Sequence, residues 1–181
     1  GGIAMSNFTS QGHTQIVGIV PAGIPCTGNV IVTICGQNSN SAAYTLPAPV
    51  ISNISPSVLS RAGGETVTIT GTNFSASGNS VTIGGIGATI DSQSPTSITI
   101  TTPADLCAGN IVVANACAQV SNSMPYTVTA PAISNINPSV LISGNTITIT
   151  GSNFGSTGNT VTIGGIAMSN FTSQGHTQIV G

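Results

Sequence analysis

Residues 63–74 read GGETVTITGTNF, and this stretch decides the fold. From Thr66 to Thr70, apolar Val67 and Ile69 alternate with threonines at period two, the pattern of a strand with one buried face. Gly71 stands where the strand ends and a tight bend is needed. Asn73 can turn its side-chain amide back onto the backbone, and Phe74 is placed to plug the end of a core. The string returns as NTITITGSNF at 145–154. Ser80–Ile83 and Ser97–Thr101 alternate in the same way, and Gly, Asn, Ser and Pro clusters punctuate the runs. No stretch carries helical periodicity with capping residues. Several short strands in about 80 residues predict an all-β fold of two packed sheets.

Working outward, PVISNISPSVLS from Pro49 matches PAISNINPSVLI from Pro131, and residues 21–47 line up with 103–129. Residues 164–181 repeat residues 1–18 letter for letter, an offset of 163 residues. The chain therefore divides into the C-terminal half of one domain (1–48), a complete domain (49–130) and the N-terminal half of the next (131–181). Such self-similarity marks a tandem array. Half a sheet leaves open strand edges. The expectation is either an excerpt of a longer protein or a subunit that completes itself with its neighbour.

Composition narrows the function. The chain has one cation, Arg61, and three acids, Glu65, Asp91 and Asp105. That count cannot neutralise a phosphate backbone, so nucleic-acid binding is excluded as an expectation. It also removes a polybasic route to anionic membrane surfaces. No apolar run approaches the roughly 20 residues of a membrane span, and no charged start followed by an apolar core marks a secretion signal here.

The run 63–74 resembles the signature of IPT/TIG domains, which are immunoglobulin-like sandwiches. Pro-x-Ile-x-x-Ile-x-Pro at 49–56 fits that family's first strand, and Ser80–Gly85 follows the Asn-Phe corner as it should. Gly109–Val113 and Tyr126–Val128 fit its last hairpin. The resemblance implies a tandem linear array of such sandwiches. It says little about function, because family members occur in cell-surface receptors, bacterial surface proteins, transcription factors and, as accessory modules, polysaccharide enzymes.

Residue by residue, little chemistry is on offer. His13 and His176 are one repeat position seen twice, with no Cys, Asp or Glu beside either. No calcium loop, nucleophile elbow or phosphate loop is present. Gly84-Gly85-Ile86-Gly87 has no helix after it and reads as a β-turn. The expectation is no enzyme, no cofactor and no metal site. Asn7 and its copy Asn170, Asn53 and Asn73 each begin an Asn-x-Ser/Thr acceptor for glycosylation. Asn73 also has its place in the corner.

The four cysteines say most. Cys26 and Cys35 correspond to Cys107 and Cys117. Zinc would need about four clustered ligands, and a reactive thiol favours electropositive surroundings that one Arg does not supply. Disulfides in an oxidising, extracellular setting are the better reading. Pairing within a domain, Cys26 with Cys35 and Cys107 with Cys117, is the simple choice. Geometry opposes it: Asn29–Cys35 reads as one strand of about 20 Å, whereas bonded cysteines need Cα atoms about 4.4–6.8 Å apart. Strand direction gives an alternative. Ala42–Leu46 runs out into the Pro47–Pro49 linker, and the strand before it, across a turn at 36–41, is antiparallel. Cys26 then lies at the C-terminal pole of its domain and Cys117 at the N-terminal pole of the next. The expected staples are Cys26–Cys117 across the first junction, with Cys35 and Cys107 each reaching a neighbouring repeat.

These readings converge on a structural segment of an extracellular or cell-surface filament or stalk, whose partner is itself, head to tail. The short Pro-rich linkers favour stiff spacing. The alternative is a surface adhesin module that binds glycans or another cell, or an accessory domain of a secreted polysaccharide enzyme. An adhesin needs exposed aromatics, and the chain has no Trp and only two Tyr.

Overall fold

Each run of period-two alternation becomes a strand, and no helix occurs among the described residues. The computed structural model describes residues 2–21 and 23–181 and divides into two units, Gly1–Pro47 and Ala48–Gly181.

The first unit holds three separate strand pairs. Strands β1 (Phe8–Gln11) and β2 (Ile16–Gly18) form a hairpin. Strand β3 (Thr27–Val30) runs antiparallel to β6 (Ala42–Thr45), with Thr27 opposite Thr45. Between them, β4 (Thr33–Ile34) and β5 (Gln37–Asn38) make a second small hairpin, turned by Cys35 and Gly36 at φ 51° and 78°. The predicted strand 29–35 is therefore broken: it stops at Val30, and Cys35 sits on a turn. The predicted turn 36–41 in turn contains β5. The reason is pairing. In the complete domain the matching strand is continuous because it has a neighbour on each side. Here β3 has one neighbour, and no described hydrophobic side chain of this unit is buried.

The complete domain is a sandwich. One sheet comprises β7 (Val50–Ser55), β9 (Thr66–Thr72), β12 (Thr89–Gln93) and β13 (Ser97–Thr101), in the order β12-β13-β9-β7. The other comprises β8 (Val58–Leu59), β10 (Ser80–Ile83), β11 (Ile86–Gly87), β14 (Gly109–Ala114) and β15 (Met124–Val128), in the order β11-β10-β14-β15-β8. All pairs are antiparallel except β15 with β8. The apolar positions of the alternating runs meet between the sheets: Val67, Ile69, Ile98 and Ile100 from one, Val81, Ile83, Ile111 and Val113 from the other. Each such side chain contributes about 1.5–3 kcal/mol on burial. Phe74 and Leu106 join the same core from the loops.

Two details of the Gly-Asn-Phe corner differ from expectation. Gly71 lies inside β9, not at its end. A Cβ there would stand 2.1 Å from the Val50 carbonyl oxygen and 2.5 Å from the Phe74 ring, so the glycine permits close approach of β7 and the ring. Asn73, at φ 61°, sends its amide not to its own turn but to the Ala48 carbonyl, 3.0 Å away in the linker. Gly84 and Gly85 do form a tight hairpin turn, with φ of 58° and 83°, between Ile83 and Ile86.

Residues 131–181 rebuild only one of the two sheets. Strands β16 (Ala132–Asn137), β17 (Thr148–Ser152), β20 (Ser173–Gln174) and β21 (Gln178–Val180) lie in the order β16-β17-β21-β20, the same arrangement as β7, β9, β13 and β12. The hairpin β18 (Thr162–Ile163) with β19 (Ile166–Ala167) answers to β10–β11. A small core of Ile147, Ile149, Phe154 and Ile179 holds this part.

Candidate functional site: the domain junction

The two poles of the complete domain are built from different loops. Its C-terminal pole is made by residues 60–65 and 102–107. Gly63, at φ 73°, leaves room for the Pro103–Ala104 backbone, which a Cβ would meet at 2.6 Å. The Asp105 N–H donates to the Arg61 carbonyl (2.8 Å) and the Gly64 N–H to the Thr102 carbonyl (2.9 Å). Glu65 turns inward and accepts the Ser60 N–H at 2.7 Å. Buried Leu106 anchors the second loop.

This pole docks on the corner of the following domain. Asp105 accepts the Ser156 N–H at 2.7 Å through Oδ1 and the Ser156 hydroxyl through Oδ2. The Ser60 hydroxyl donates to Asn153 Oδ1 at 3.2 Å. His176 approaches from the β20–β21 turn, with Nδ1 2.9 Å from the Phe154 carbonyl and 3.9 Å from Asp105 Oδ1. The side-chain bond from Ser156, then its N–H, holds the Asp105 carboxyl below the usual carboxylate range; His176 and Arg61 add smaller attractions. Three of the four charged residues of the chain, Arg61, Glu65 and Asp105, thus serve this one pole. The fourth, Asp91, accepts the Thr101 hydroxyl at 2.9 Å on the sheet face.

The N-terminal pole is held by neutral amides. Buried Asn79 accepts the Ser75 N–H at 2.8 Å and donates to the Ser75 carbonyl and to Gln93 Oε1, both at 2.6 Å. The Ser75 hydroxyl accepts the Ala116 N–H at 3.0 Å, tying the corner to the loop that carries Cys117. Asn159, Gly155 and Gln174 repeat the clamp in the next domain.

The cysteines divide two and two. Cys26 and Cys117 are disulfide-bonded, whereas Cys35 and Cys107 carry free, exposed thiols. Cys26 accepts the Leu46 N–H at 2.9 Å, which puts it beside the exit of β6. Arg61 Nη1 lies 3.6 Å from Cys107 Sγ. Of the sequons, Asn7, Asn170 and Asn53 are exposed, while Asn73 is exposed with its amide nitrogen engaged by Ala48. His13 is exposed. Among the described residues, no group of three or more His, Cys, Asp and Glu stands close enough for a metal ion, and no helix is long and apolar enough to cross a membrane.

Sequence reasoning missed Asp105, Ser156 and the Asn79–Gln93 clamp. The clamp had a signal, since Asn79 and Gln93 recur at matched places as Asn159 and Gln174 in the next domain. Asp105 had none, because the aligned stretch PAGIPC offers only Gly23 or Ile24.

The IPT/TIG domain model matches residues 49–129 and 131–181. No curated relative matches the sequence. Among solved structures, the extracellular region of plexin A4 is 24% identical over 73% of this chain and 15% of its own, with a TM-score of 0.42. An auxiliary nutrient binding protein of Bacteroides thetaiotaomicron is 22% identical over 48% of this chain and 22% of its own, at 0.42. SGBP-B, from a complex xyloglucan utilization locus of Bacteroides uniformis, is 21% identical over 74% of this chain and 42% of its own, at 0.34. The chain spans less than half the length of each of these. Taken with the two-sheet sandwich and its Gly-x-Asn-Phe corners, the matched model shows that this chain belongs to the IPT/TIG domain family.

Proposed function

We propose that the chain is a non-catalytic structural segment of an extracellular or cell-surface protein, in which IPT/TIG domains keep a fixed spacing along a filament or stalk. The built contact between the complete domain and the next carries this reading. Asp105, Ser60, Ser156, Asn153 and His176 spend their polar groups on holding neighbours together. A domain whose loops served a ligand would leave them open. Cys26 and Cys117 form the corresponding covalent staple between successive domains, and Cys35 and Cys107 pair with neighbouring repeats in the same manner. On the chain-entropy model a loop of that length contributes about 4–5 kcal/mol.

The second reading is a surface module that binds glycans or another cell, or an accessory domain of a polysaccharide enzyme. Exposed Thr and Ser on the strands would supply its hydroxyl partners. In the complete domain, however, the two aromatic side chains, Phe74 and Tyr126, are buried, so no ring is offered to a sugar face. A non-reducing peptide map and negative-stain images of the full chain test the spacer. Cys26 joined to Cys117 and particles of one fixed length support it. Cys26 joined to Cys35, or saturable binding on a glycan array, would overturn it in favour of the second reading.

A further inference from the structure

The chain carries two versions of the Gly-x-Asn-Phe corner, and their backbones agree. Asn73 and Asn153 have φ of 61° and 56°, and Gly78 and Gly158 have φ of 76° and 71°. The Phe74 N–H donates to the Pro95 carbonyl and the Phe154 N–H to the His176 carbonyl, both at 3.1 Å. The side chains on this shared frame do not agree. Ser156 stands where the complete domain has Ala76, and His176 where it has Pro95.

The C-terminal poles differ at the places that face a corner. The complete domain offers Asp105 and Ser60. The stretch 21–26, PAGIPC, which matches 103–107, holds no acid, and Ile142 stands where the complete domain has Ser60. Four loops are involved, and their exchanges agree in chemistry. The pole with Asp105 and Ser60 meets the corner with Ser156 and His176. Asn153 shows that the pairing decides how a corner side chain is used. Asn73 sends its amide nitrogen to the Ala48 carbonyl at 3.0 Å, whereas Asn153 Oδ1 accepts the Ser60 hydroxyl at 3.2 Å. An isoleucine in place of Ser60 has no hydrogen to donate there.

We infer that Asp105 and Ser60 are specificity residues, by which the complete domain's C-terminal pole accepts a Ser156/His176 corner and rejects an Ala76/Pro95 corner. Against the latter, Asp105 Oδ2 would lose its hydroxyl donor and Oδ1 its imidazole neighbour. A charge-assisted bond is the costlier kind to lose. The repeated string gives this choice a purpose. Because residues 1–18 recur at 164–181, the complete domain has the same domain type before it and after it in sequence. Its pole therefore docks on the other type and not on a corner of its own. Misassembly between like domains is a characteristic failure of repeat arrays, and a polar group stranded in the wrong pair is a general means of preventing it. The inference rests on the spacer reading, since it names what selects the neighbour at that built contact.

The test is amide hydrogen exchange of the full chain by NMR, each rate corrected for the intrinsic rate of its sequence. The residue 156 N–H donates to Asp105 across the junction, so its protection reads how often the junction opens. Ser156→Ala with His176→Pro gives this corner the side chains of the other. The fold accepts the exchange, because Ser94-Pro95 already makes the same turn: the Ser94 N–H donates to the Ser97 carbonyl as the Gly175 N–H does to the Gln178 carbonyl, each at 2.8 Å. Protection at residue 156 should fall about tenfold, while the Ile69 and Ile149 amides keep theirs. Ser60→Ile should lower it about threefold. Ala76→Ser with Pro95→His, the reverse exchange at the complete domain's own corner, should leave it unchanged. Undiminished protection at residue 156 in the Ser156→Ala/His176→Pro variant would overturn the specificity inference and leave the spacer standing. A wild-type residue 156 amide that exchanges at its free rate would overturn both.

Discussion

Leu59 and Leu141 stand in matching Pro-Ser-Val-Leu strings, yet one is fully buried and the other is 42% exposed. Local sequence does not separate them. What differs is the strand alongside: β15 covers Leu59, and no equivalent reaches Leu141 among the described residues. Burial in this fold comes from non-local pairing, so a half-domain keeps its strand pattern and loses its core.

Substitutions can break this comparison. Leu59→Ala should cost about 2–5 kcal/mol in urea unfolding. Leu141→Ala should cost under about 0.5 kcal/mol in a dilute chain. Equal losses would mean the lone half is already covered. Gly71→Ala should cost about 1–3 kcal/mol by overpacking. Gly151→Ala should match it, because its Cβ would meet the Ala132 carbonyl oxygen at 2.0 Å and the Phe154 ring at 2.5 Å. Here both domains are expected to behave alike, and thermal unfolding of the pair of variants checks it.

Removing an amide sharpens the contrast further. Asn122→Ala leaves the Ile51 backbone groups without their partners and should cost about 1–3 kcal/mol. Asn40→Ala should change the stability of a dilute chain by nothing measurable. The smallest effect is at Asp105. Its folded carboxyl ionises below the usual range, so its contribution is complete above that range and is lost as pH falls through the lowered value. The Ser156 amide resonance should report this with a midpoint below the ordinary carboxylate pKa. Asp105→Asn should remove the titration while the complete domain stays folded.

Much of the sandwich was legible. Val67, Ile69, Ile98 and Ile100 announced their inward face by alternation alone, and Ser80–Ile83 and Ser97–Thr101 begin and end where the pattern does. Less legible was anything decided by a distant partner. Asn29–Cys35 read as one strand, but in the complete domain the matching strand is held by a neighbour 28–34 residues earlier, and without such a neighbour it breaks at Val30. Gly71 read as a strand end because its real reason, the passage of Val50 and the Phe74 ring, is a crossing contact. Phe8 and Phe171 are the same residue in the repeated string, yet Phe8 is 42% exposed and Phe171 half-buried, a difference no local sequence can carry. The junction was least legible, since Asp105 and Ser156 are 51 positions apart and only one of them has a charge to attract notice.

The amide clamps also decide how such a chain would age. An asparagine deamidates when its side chain swings into reach of the next backbone nitrogen. Asn79 and Asn159, each held at both ends of the amide, are barred from that swing. Asn122, followed by Ser123, is held the same way by Ile51, while Asn40, followed by Ser41, is free to move. Slow chemical damage is therefore expected at Asn40 before it reaches the clamped Asn79, Asn122 or Asn159.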